Sequence, residues 1–210
     1  MVIFLKIIAH RGNDGIYKEN SFEAIINSLN KSYVDGVEFD IRLTKDGKFV
    51  LCHDPFYMGR IIKDTSSDLL KKLGLNTLEE ILNSINSDKI LLIDVKEEGK
   101  DILKLSYLLY SVLIKYDLNY YICSFNYEFI NRFHKYGVKS GLIMGSKINV
   151  KYIDNDFDFN LISYKFKGMI PCQETFIWTV NKTDQIKSSY NNIITDDAKK
   201  IYDFVNRKKL

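Results

Sequence analysis

Short apolar runs alternate along the chain with segments in which apolar residues recur every three or four positions. Short runs rich in Val, Ile and Phe are typical of buried strands, whereas spacing of three and four is typical of amphipathic helices. The sequence predicts strands at residues 3–9, 36–43, 90–95, 120–124, 138–144, 159–163, 176–180 and 193–195. Helical spacing fills most of the intervals between them.

Several intervals carry both an apolar stripe and a signal for the start of a helix. The stripes are formed by Phe22, Ile25, Ile26 and Leu29, by Leu78, Ile81, Leu82 and Ile85, and by Ile102, Leu105, Leu108, Leu109 and Val112. Ser21, Thr77 and Asn126 are expected N-caps, and Glu80 follows Thr77 at the spacing of a capping box.

Regular alternation of strands and helices predicts an α/β fold with parallel strands, because parallel neighbours need long crossover connections. Eight such units favour closure into a compact (β/α)8 TIM barrel, in one domain over residues 1–210. Each unit averages about 26 residues, near the lower limit for this fold. The interval 165–175 is short and contains Pro171, so we expect a short or missing helix after strand 6. A doubly wound open sheet is the alternative, although no glycine fingerprint follows the first strand.

The segment after the second strand departs from this alternation. Asp46-Gly47 is a turn dipeptide, so residues 49–53 should fold back antiparallel as a β-hairpin arm. If Thr44 faces Phe49, Asp40 lies opposite His53, with side chains on one face.

The composition of the chain argues against two classes of protein, nucleic-acid-binding proteins and integral membrane proteins. Lys and Arg number 30 against 27 acidic residues, an excess too small to indicate nucleic-acid binding. No apolar stretch reaches about 18 residues, so we expect no integral membrane segment. Cys52, Cys123 and Cys172 lie far apart in apolar runs, which suggests buried thiols in a reducing compartment and a cytoplasmic location. The sequence leaves the oligomeric state open.

Polar residues at the carboxyl ends of the predicted strands are the candidates for chemistry, because TIM-barrel active sites form there. They are His10, Arg11, Glu38, Asp40, His53, Asp94 and Lys96. Converging carboxylates form an oxygen cluster suited to Mg²⁺ or Ca²⁺. Two histidines could exchange protons near neutral pH, and the two cations could neutralise an anionic group such as phosphate.

Each candidate has a less specific interpretation. A Glu-x-Asp pair in a strand is more often a solvated face, but here Val37, Phe39 and Ile41 should lie beneath helices, so the acids must point into the barrel. Arg11 could be only a structural counter-ion of the carboxylates. Lys96 could form a Schiff base, as in aldolase-type barrels.

Two later strand ends are less informative. Trp178 could pack against ligand carbon in a substrate pocket, although a role in filling the core is equally consistent with its surroundings. Asp196 or Asp197 is expected to be a helix N-cap.

Taken together, the motifs closely resemble those of the glycerophosphodiester phosphodiesterases. The similarity runs from residue 7 to about residue 198, and it is specific because the order and spacing of many short motifs agree. The motifs are His10-Arg11-Gly12, Glu19-Asn20-Ser21, Gly36-Val37-Glu38-Phe39-Asp40, Thr44-Lys45-Asp46-Gly47, His53-Asp54, Leu78-Glu79-Glu80, Ile93-Asp94-Val95-Lys96, Ser124-Phe125, Trp178-Thr179-Val180-Asn181 and Thr195-Asp196.

This resemblance implies a TIM barrel that uses one divalent cation to hydrolyse glycerophosphodiesters to sn-glycerol 3-phosphate and an alcohol. By matching position, it implies that His10 and His53 are the acid–base pair. The remaining assignments are metal ligation by Glu38, Asp40 and Asp94, and phosphate contact by Arg11 and Lys96. A lysophospholipase D-like activity on lysolipids and a catalytically silent phosphate-binding barrel are alternatives.

The chain departs from the family pattern at two places. The third carboxylate is usually a glutamate in a Glu-x-Lys triplet, whereas this chain has Asp94-Val95-Lys96, which predicts weaker or altered metal preference. Residues 54–77 correspond to an insertion that is shortened here. We therefore expect an open pocket, which leaves the alcohol moiety undetermined.

Overall fold

Eight parallel strands close into a barrel, which confirms the predicted fold. The structure is a computed structural model that describes residues 5–13, 15–96, 101–145, 157–166 and 174–207. The barrel strands are β1 (Lys6–Ala9), β2 (Gly36–Leu43), β6 (Ile90–Val95), β7 (Tyr120–Ser124), β8 (Ser140–Met144), β9 (Phe159–Ser163), β10 (Glu174–Trp178) and β11 (Asn192–Thr195). They pair in that order, and β1 closes the ring by pairing with both β11 and β2.

Helices cover the outside of the barrel. They are α1 (Phe22–Leu29), α2 (Ser67–Lys72), α3 (Leu78–Leu82), α4 (Ile102–Leu113), α5 (Tyr127–Lys135) and α6 (Ala198–Arg207). The three expected N-caps are confirmed: Ser21, Thr77 and Asn126 each accept a hydrogen bond from a backbone N–H in the first turn of a helix. The capping box of Thr77 with Glu80 is also present.

Alternation along β2 decides where its acidic residues point. Val37, Phe39 and Ile41 are fully buried in the layer between the sheet and the helices. Neighbouring residues of a strand point to opposite faces, so Glu38 and Asp40 face the barrel interior. The interior below them is filled by the buried side chains of Ile8, Ile90, Leu92, Tyr121, Cys123, Ile143, Phe159, Leu161, Phe176 and Ile194.

The hairpin arm is present, but its predicted register is wrong by one residue. Strand β3 (Phe49–Leu51) pairs antiparallel with β2 so that Leu43 faces Phe49. Asp40 consequently pairs with Cys52, whose N–H donates to the Asp40 carbonyl. The physical reason is burial: the observed register aligns apolar residues on the helix-facing side, whereas a one-residue slip would place Thr44 opposite the fully buried Phe49.

Residues 54–77 form a small unit on the hairpin arm. Strands β4 (Phe56–Tyr57) and β5 (Arg60–Ile61) form a two-stranded ribbon, followed by a 3₁₀ turn at Ile62–Asp64 and by α2. Val50, Cys52, Ile62, Leu70 and Leu75 are its buried core.

The structure also bears on the predicted bounds of the seventh barrel strand, the cysteines, the connection after the sixth strand and the membrane prediction. The strand predicted at 176–180 lies at Glu174–Trp178, because polar side chains are accommodated at the amino end of the barrel, where Lys6 pairs with Glu174 at 3.2 Å. Cys52 and Cys123 are buried free thiols, as expected, whereas Cys172 lies outside the described residues. Most of the connection expected to have a short or missing helix also lies outside them. No helix in the described part of the chain combines the length and apolarity needed to span a bilayer.

Candidate active site

Three buried carboxylates meet at the carboxyl end of the barrel. Glu38 and Asp40 lie two residues apart on β2, and Asp94 lies on β6 directly beside Asp40 in the parallel register. All three are at most 4% exposed. One oxygen of each lies within 4.8 Å of the others, close enough to ligate a common ion.

Two cations partly balance this cluster. The Lys96 Nζ lies 3.1 Å from Asp40 Oδ1 and 2.5 Å from Asp94 Oδ2, and the Arg11 Nε lies 3.2 Å from Asp40 Oδ2. The Arg11 backbone N–H donates to Glu38 Oε2 at 2.9 Å, from a residue held at φ 53° in a turn after β1. Asp94 Oδ1 is buried without a hydrogen-bond partner among the described residues.

Burial raises the pKa of two of these carboxyl groups, and the charges of the neighbouring carboxylates add to this effect. Burial and the Asp40 charge raise the pKa of Glu38 to about 8. Burial also raises the pKa of Asp94, to about 6, although Lys96 opposes this change. Burial disfavours the Lys96 ammonium, but the charges of Asp94 and Asp40 outweigh it and raise its pKa, so Lys96 remains protonated.

The cluster has the donor set of a hard divalent cation. Mg²⁺ and Ca²⁺ prefer oxygen ligands, and the partnerless Asp94 Oδ1 is a buried acceptor that such an ion would satisfy. Asn20 also fixes one member in place: its Nδ2 donates to Asp40 Oδ2 at 2.7 Å, and its Oδ1 accepts from the Asp40 N–H at 2.9 Å. Hydrogen-bonded ligating carboxylates are a usual feature of metal sites.

His10 is held in place by Asp196, the residue that follows the last strand of the barrel. Its Nδ1 lies 2.6 Å from Asp196 Oδ1, while its Nε2 lies 3.8 Å from Glu38 Oε2. Asn181 donates to the other oxygen of Asp196 and accepts from the Asp196 N–H at 2.9 Å. Burial disfavours the His10 imidazolium, but the hydrogen bond to Asp196 and the nearby charges raise the pKa of His10 overall.

His53 is placed differently at the same pocket. It follows β3, its carbonyl accepts from Arg42 Nε at 2.9 Å, and its Nδ1 lies 2.8 Å from Asp54 Oδ1. Its side chain is 41% exposed, against 20% for His10, and Asp54 is 74% exposed. His10 is therefore fixed by buried contacts, whereas His53 is anchored at the solvent edge.

These polar groups line a cavity of about 230 Å³. Six of the seven polar residues singled out from the sequence line it, and the seventh, Asp40, is buried. The apolar wall of the cavity is formed by Phe125, Ile143, Leu161, Trp178 and Ile194. Trp178 packs edge-on to Phe125 at 6.3 Å between ring centroids, and its buried Nε1 has no hydrogen-bond partner among the described residues.

The N-cap expected at Asp196 or Asp197 is confirmed at Asp197, and Asp196 has a different role. Asp197 Oδ1 accepts from the Lys200 N–H and fulfils the capping role for α6, whereas Asp196 binds His10. Barrel closure explains the contact, because the register pairs Ala9 with Thr195 and so places the residues that follow both strands side by side. That pairing of first and last strands is the signal in the sequence that could have identified Asp196.

Comparison with known proteins identifies the family. The profile of the glycerophosphoryl diester phosphodiesterase family matches residues 10–203. The chain belongs to this family. It is therefore an enzyme of the phosphoric diester hydrolase class, as the sequence resemblance predicts.

Relatives agree with this assignment to different extents. A glycerophosphodiester phosphodiesterase of Caldanaerobacter subterraneus subsp. tengcongensis is 25% identical over 96% of this chain and 98% of its own length. One from Bacillus altitudinis is 31% identical over 109 residues, which span 43% of this chain and 44% of that protein.

Solved structures show the same fold. An Oleispira antarctica phosphodiesterase in complex with the product sn-glycerol-3-phosphate has a TM-score of 0.82 and 18% identity, covering 96% of both chains. A glycerophosphodiester phosphodiesterase from Parabacteroides distasonis has a TM-score of 0.82 and 19% identity, covering 99% of both chains.

The structure also answers a question raised by the shorter third carboxylate of this family member. Asp94 is one methylene shorter than the expected glutamate, yet its oxygen lies within the 4.8 Å cluster. Lys96, two residues on, binds Asp94 and Asp40 together. The shorter side chain therefore still places an oxygen close to the other two carboxylates.

Removing one carboxylate should stabilise the metal-free protein. The pKa of Glu38 is raised on folding, so the folded state binds more protons than the unfolded state between about pH 4.5 and 8, and stability falls as the pH rises through this range. Glu38→Gln should therefore raise the melting temperature in chelator at pH 8 and have little effect at pH 5. Thermal denaturation at both values measures this, with the exposed Glu128→Gln as the control.

Added Mg²⁺ or Ca²⁺ should reverse the order of the two proteins by stabilising the wild type more than Glu38→Gln. A Glu38→Gln protein that is less stable than the wild type in chelator at pH 8 would contradict the proposed cost of burying the Glu38 charge.

Proposed function

We propose that this enzyme is a divalent-cation-dependent hydrolase that cleaves glycerophosphodiesters to sn-glycerol 3-phosphate and an alcohol, with His10 and His53 as the acid–base pair. The observation that carries the proposal is the meeting of three buried carboxylates, two cations and two imidazoles at one cavity. The family supports the substrate class, and the product bound to the Oleispira antarctica relative agrees with it.

Glu38, Asp40 and Asp94 would hold the cation through their carboxylate oxygens. When bound, such an ion polarises a phosphoryl oxygen and offsets charge that develops in the transition state. Asn20 would keep Asp40 oriented for this role through its two hydrogen bonds. Either Mg²⁺ or Ca²⁺ suits the oxygen donors.

Arg11 and Lys96 bring positive charge to the phosphate. Both side chains line the cavity, and neither is more than 19% exposed, so their charges act in a partly desolvated space. A fixed cation at the reacting phosphate is effective because it needs no reorganisation as the negative charge shifts. The apolar wall with Trp178 and Phe125 would contact the carbon atoms of the substrate.

The histidines would move the protons. His10 offers Nε2 to the cavity because Asp196 binds Nδ1, and His53 has its Nδ1 bound by Asp54 in the same way. One imidazole would take the proton of the attacking hydroxyl, from water or from the glycerol 2-position, and the other would protonate the departing alcohol. Their distinct environments allow the two opposite roles in one pocket.

The Schiff-base alternative is disfavoured by the contacts of Lys96. An amine nucleophile must lose its proton, and Asp40 and Asp94 hold Lys96 as an ammonium by raising its pKa. The lysolipid alternative shares the same catalytic groups and differs only in the alcohol side of the pocket. A phosphate-binding barrel without catalysis would not require the imidazoles.

An assay of which products form, and from which substrates, distinguishes these alternatives directly. We expect glycerol 3-phosphate to form from glycerophosphocholine, to cease in EDTA and to return with Mg²⁺ or Ca²⁺. His10→Ala and His53→Ala should each lower kcat by about 10²-fold or more. Preferred turnover of lysophosphatidylcholine would support the lysolipid activity instead. Full activity in EDTA, or near-normal turnover by both histidine variants, would contradict the mechanism.

Asp196 should act as a positioning residue for His10. Asp196→Asn weakens the control of the imidazole tautomer, so kcat should fall by about 10²-fold with little change in KM. Loss of the carboxylate also lowers the pKa of His10, so the His10-dependent limb of the pH–rate profile should move to lower pH. Asp197→Asn is the matched control, because Asn serves equally well as an N-cap. Equal activities of the two variants would exclude this role for Asp196.

A further inference from the structure

A short two-stranded ribbon with exposed apolar side chains follows His53, which lines the candidate active-site cavity. We call residues 56–61, which form β4, its turn and β5, the finger. Phe56 faces Ile61 across the two strands, and these side chains are 60% and 42% exposed. Met58, at the turn, is 68% exposed. One face and the tip of the finger are thus apolar and open to solvent.

The other face of the finger is firmly attached to the protein. Tyr57 packs against the buried cluster around Val50 and Ile62, and its hydroxyl donates to the Leu73 carbonyl at 3.3 Å. Lys18 reaches across from the loop after β1, with its Nζ 3.2 Å from the Tyr57 hydroxyl. The apolar face is therefore presented by a supported ribbon.

Met58, at the turn of the finger, has a left-handed backbone conformation that methionine rarely adopts. Met58 has φ 45° and Gly59 has φ 72°, the two positive values of a two-residue hairpin turn. Asn and Gly favour these positions, whereas an unbranched apolar side chain is strained there and gains no burial in the isolated protein. Contact with a binding partner would bury the Met58 side chain and so offset this strain.

The charges around the finger favour an anionic surface. Arg60, Lys63 and Lys18 are exposed cations on or beside it. Asp64 is the single carboxylate in residues 55–64. Asp54, just before them, is bound to His53 at 2.8 Å. Apolar side chains at a tip with Lys and Arg around them match the interface of an anionic bilayer.

A second copy of the chain is a poorer occupant. An interface between two copies at the finger would contain Arg60 and Lys63 of both copies, and like charges in one interface repel. A stable dimer also buries about 800 Å² on each partner, more than three side chains on a short ribbon provide. Insertion between lipids needs neither a large area nor an exact partner shape.

We propose that the finger docks this enzyme peripherally on an anionic lipid surface, with Phe56, Met58 and Ile61 among the lipids and Arg60 and Lys63 at the headgroups. His53 lies three residues before Phe56 and lines the cavity, so docking would bring the pocket opening close to that surface. Hydrolysis of a soluble diester does not need this contact, so the inference goes beyond the proposed function.

Co-sedimentation with vesicles tests the proposal without any need for turnover. The wild type should bind vesicles of equal parts phosphatidylglycerol and phosphatidylcholine, and bind phosphatidylcholine vesicles less. Phe56→Ser combined with Met58→Asn should lower binding at least about tenfold. Because Met58→Asn creates the favoured Asn-Gly turn, the double variant should keep the melting temperature of the wild type and its rate of glycerophosphocholine hydrolysis.

Two further variants complete the test. Arg60→Glu with Lys63→Glu should lower binding to anionic vesicles and remove its salt dependence. Leu103→Gln with Tyr107→Gln removes two exposed apolar side chains from α4 and should have no effect. Wild-type protein that stays in the supernatant at low salt, or equal losses in the α4 and finger variants, would overturn the proposal. Self-association that requires the finger, without vesicle binding, would overturn it in favour of a second copy.

Discussion

The active site depends on the cost of burying three carboxylates at one level of the barrel. Parallel pairing of β2 with β6 places Asp40 beside Asp94, and the two-residue period of β2 adds Glu38 on the same face. Lys96 and Arg11 offset part of the charge, but burial and the Asp40 charge still raise the pKa of Glu38. A divalent cation would neutralise the remaining negative charge. The buried carboxylates that destabilise the metal-free fold are therefore also the groups that would bind the cation.

Barrel closure gives the two histidines unlike surroundings. His10 follows β1, which pairs with β11, so Asp196 reaches His10 from the end of the chain. His53 follows the antiparallel arm, which is not one of the strands of the closed barrel. Its side chain is therefore partly exposed to solvent. The buried contacts of His10 are specified by long-range pairing, whereas those of His53 come from its neighbour in sequence, Asp54.

This difference between local and long-range pairing also explains how far the sequence could be interpreted. Strand β2 and the Glu38–Asp40 pair were predictable because alternation with Val37 and Phe39 leaves one possible inward face. The hairpin register was missed because turn residues alone allow a slip of one residue, and burial of Phe49 decides between the two. Asp196 was missed because its partner is 186 positions away and only closure of the barrel joins them.

We propose that the three carboxylates share one divalent cation next to Arg11 and Lys96, the two cations proposed to contact phosphate. A crystal structure of the protein grown with Mn²⁺, with anomalous scattering recorded, measures this directly. We expect one strong anomalous peak within about 2.5 Å of oxygens from Glu38, Asp40 and Asp94, with the Asp94 Oδ1 no longer lacking a partner. Lys96 still joining Asp40 to Asp94, with no peak among the carboxylates at saturating Mn²⁺, would contradict it.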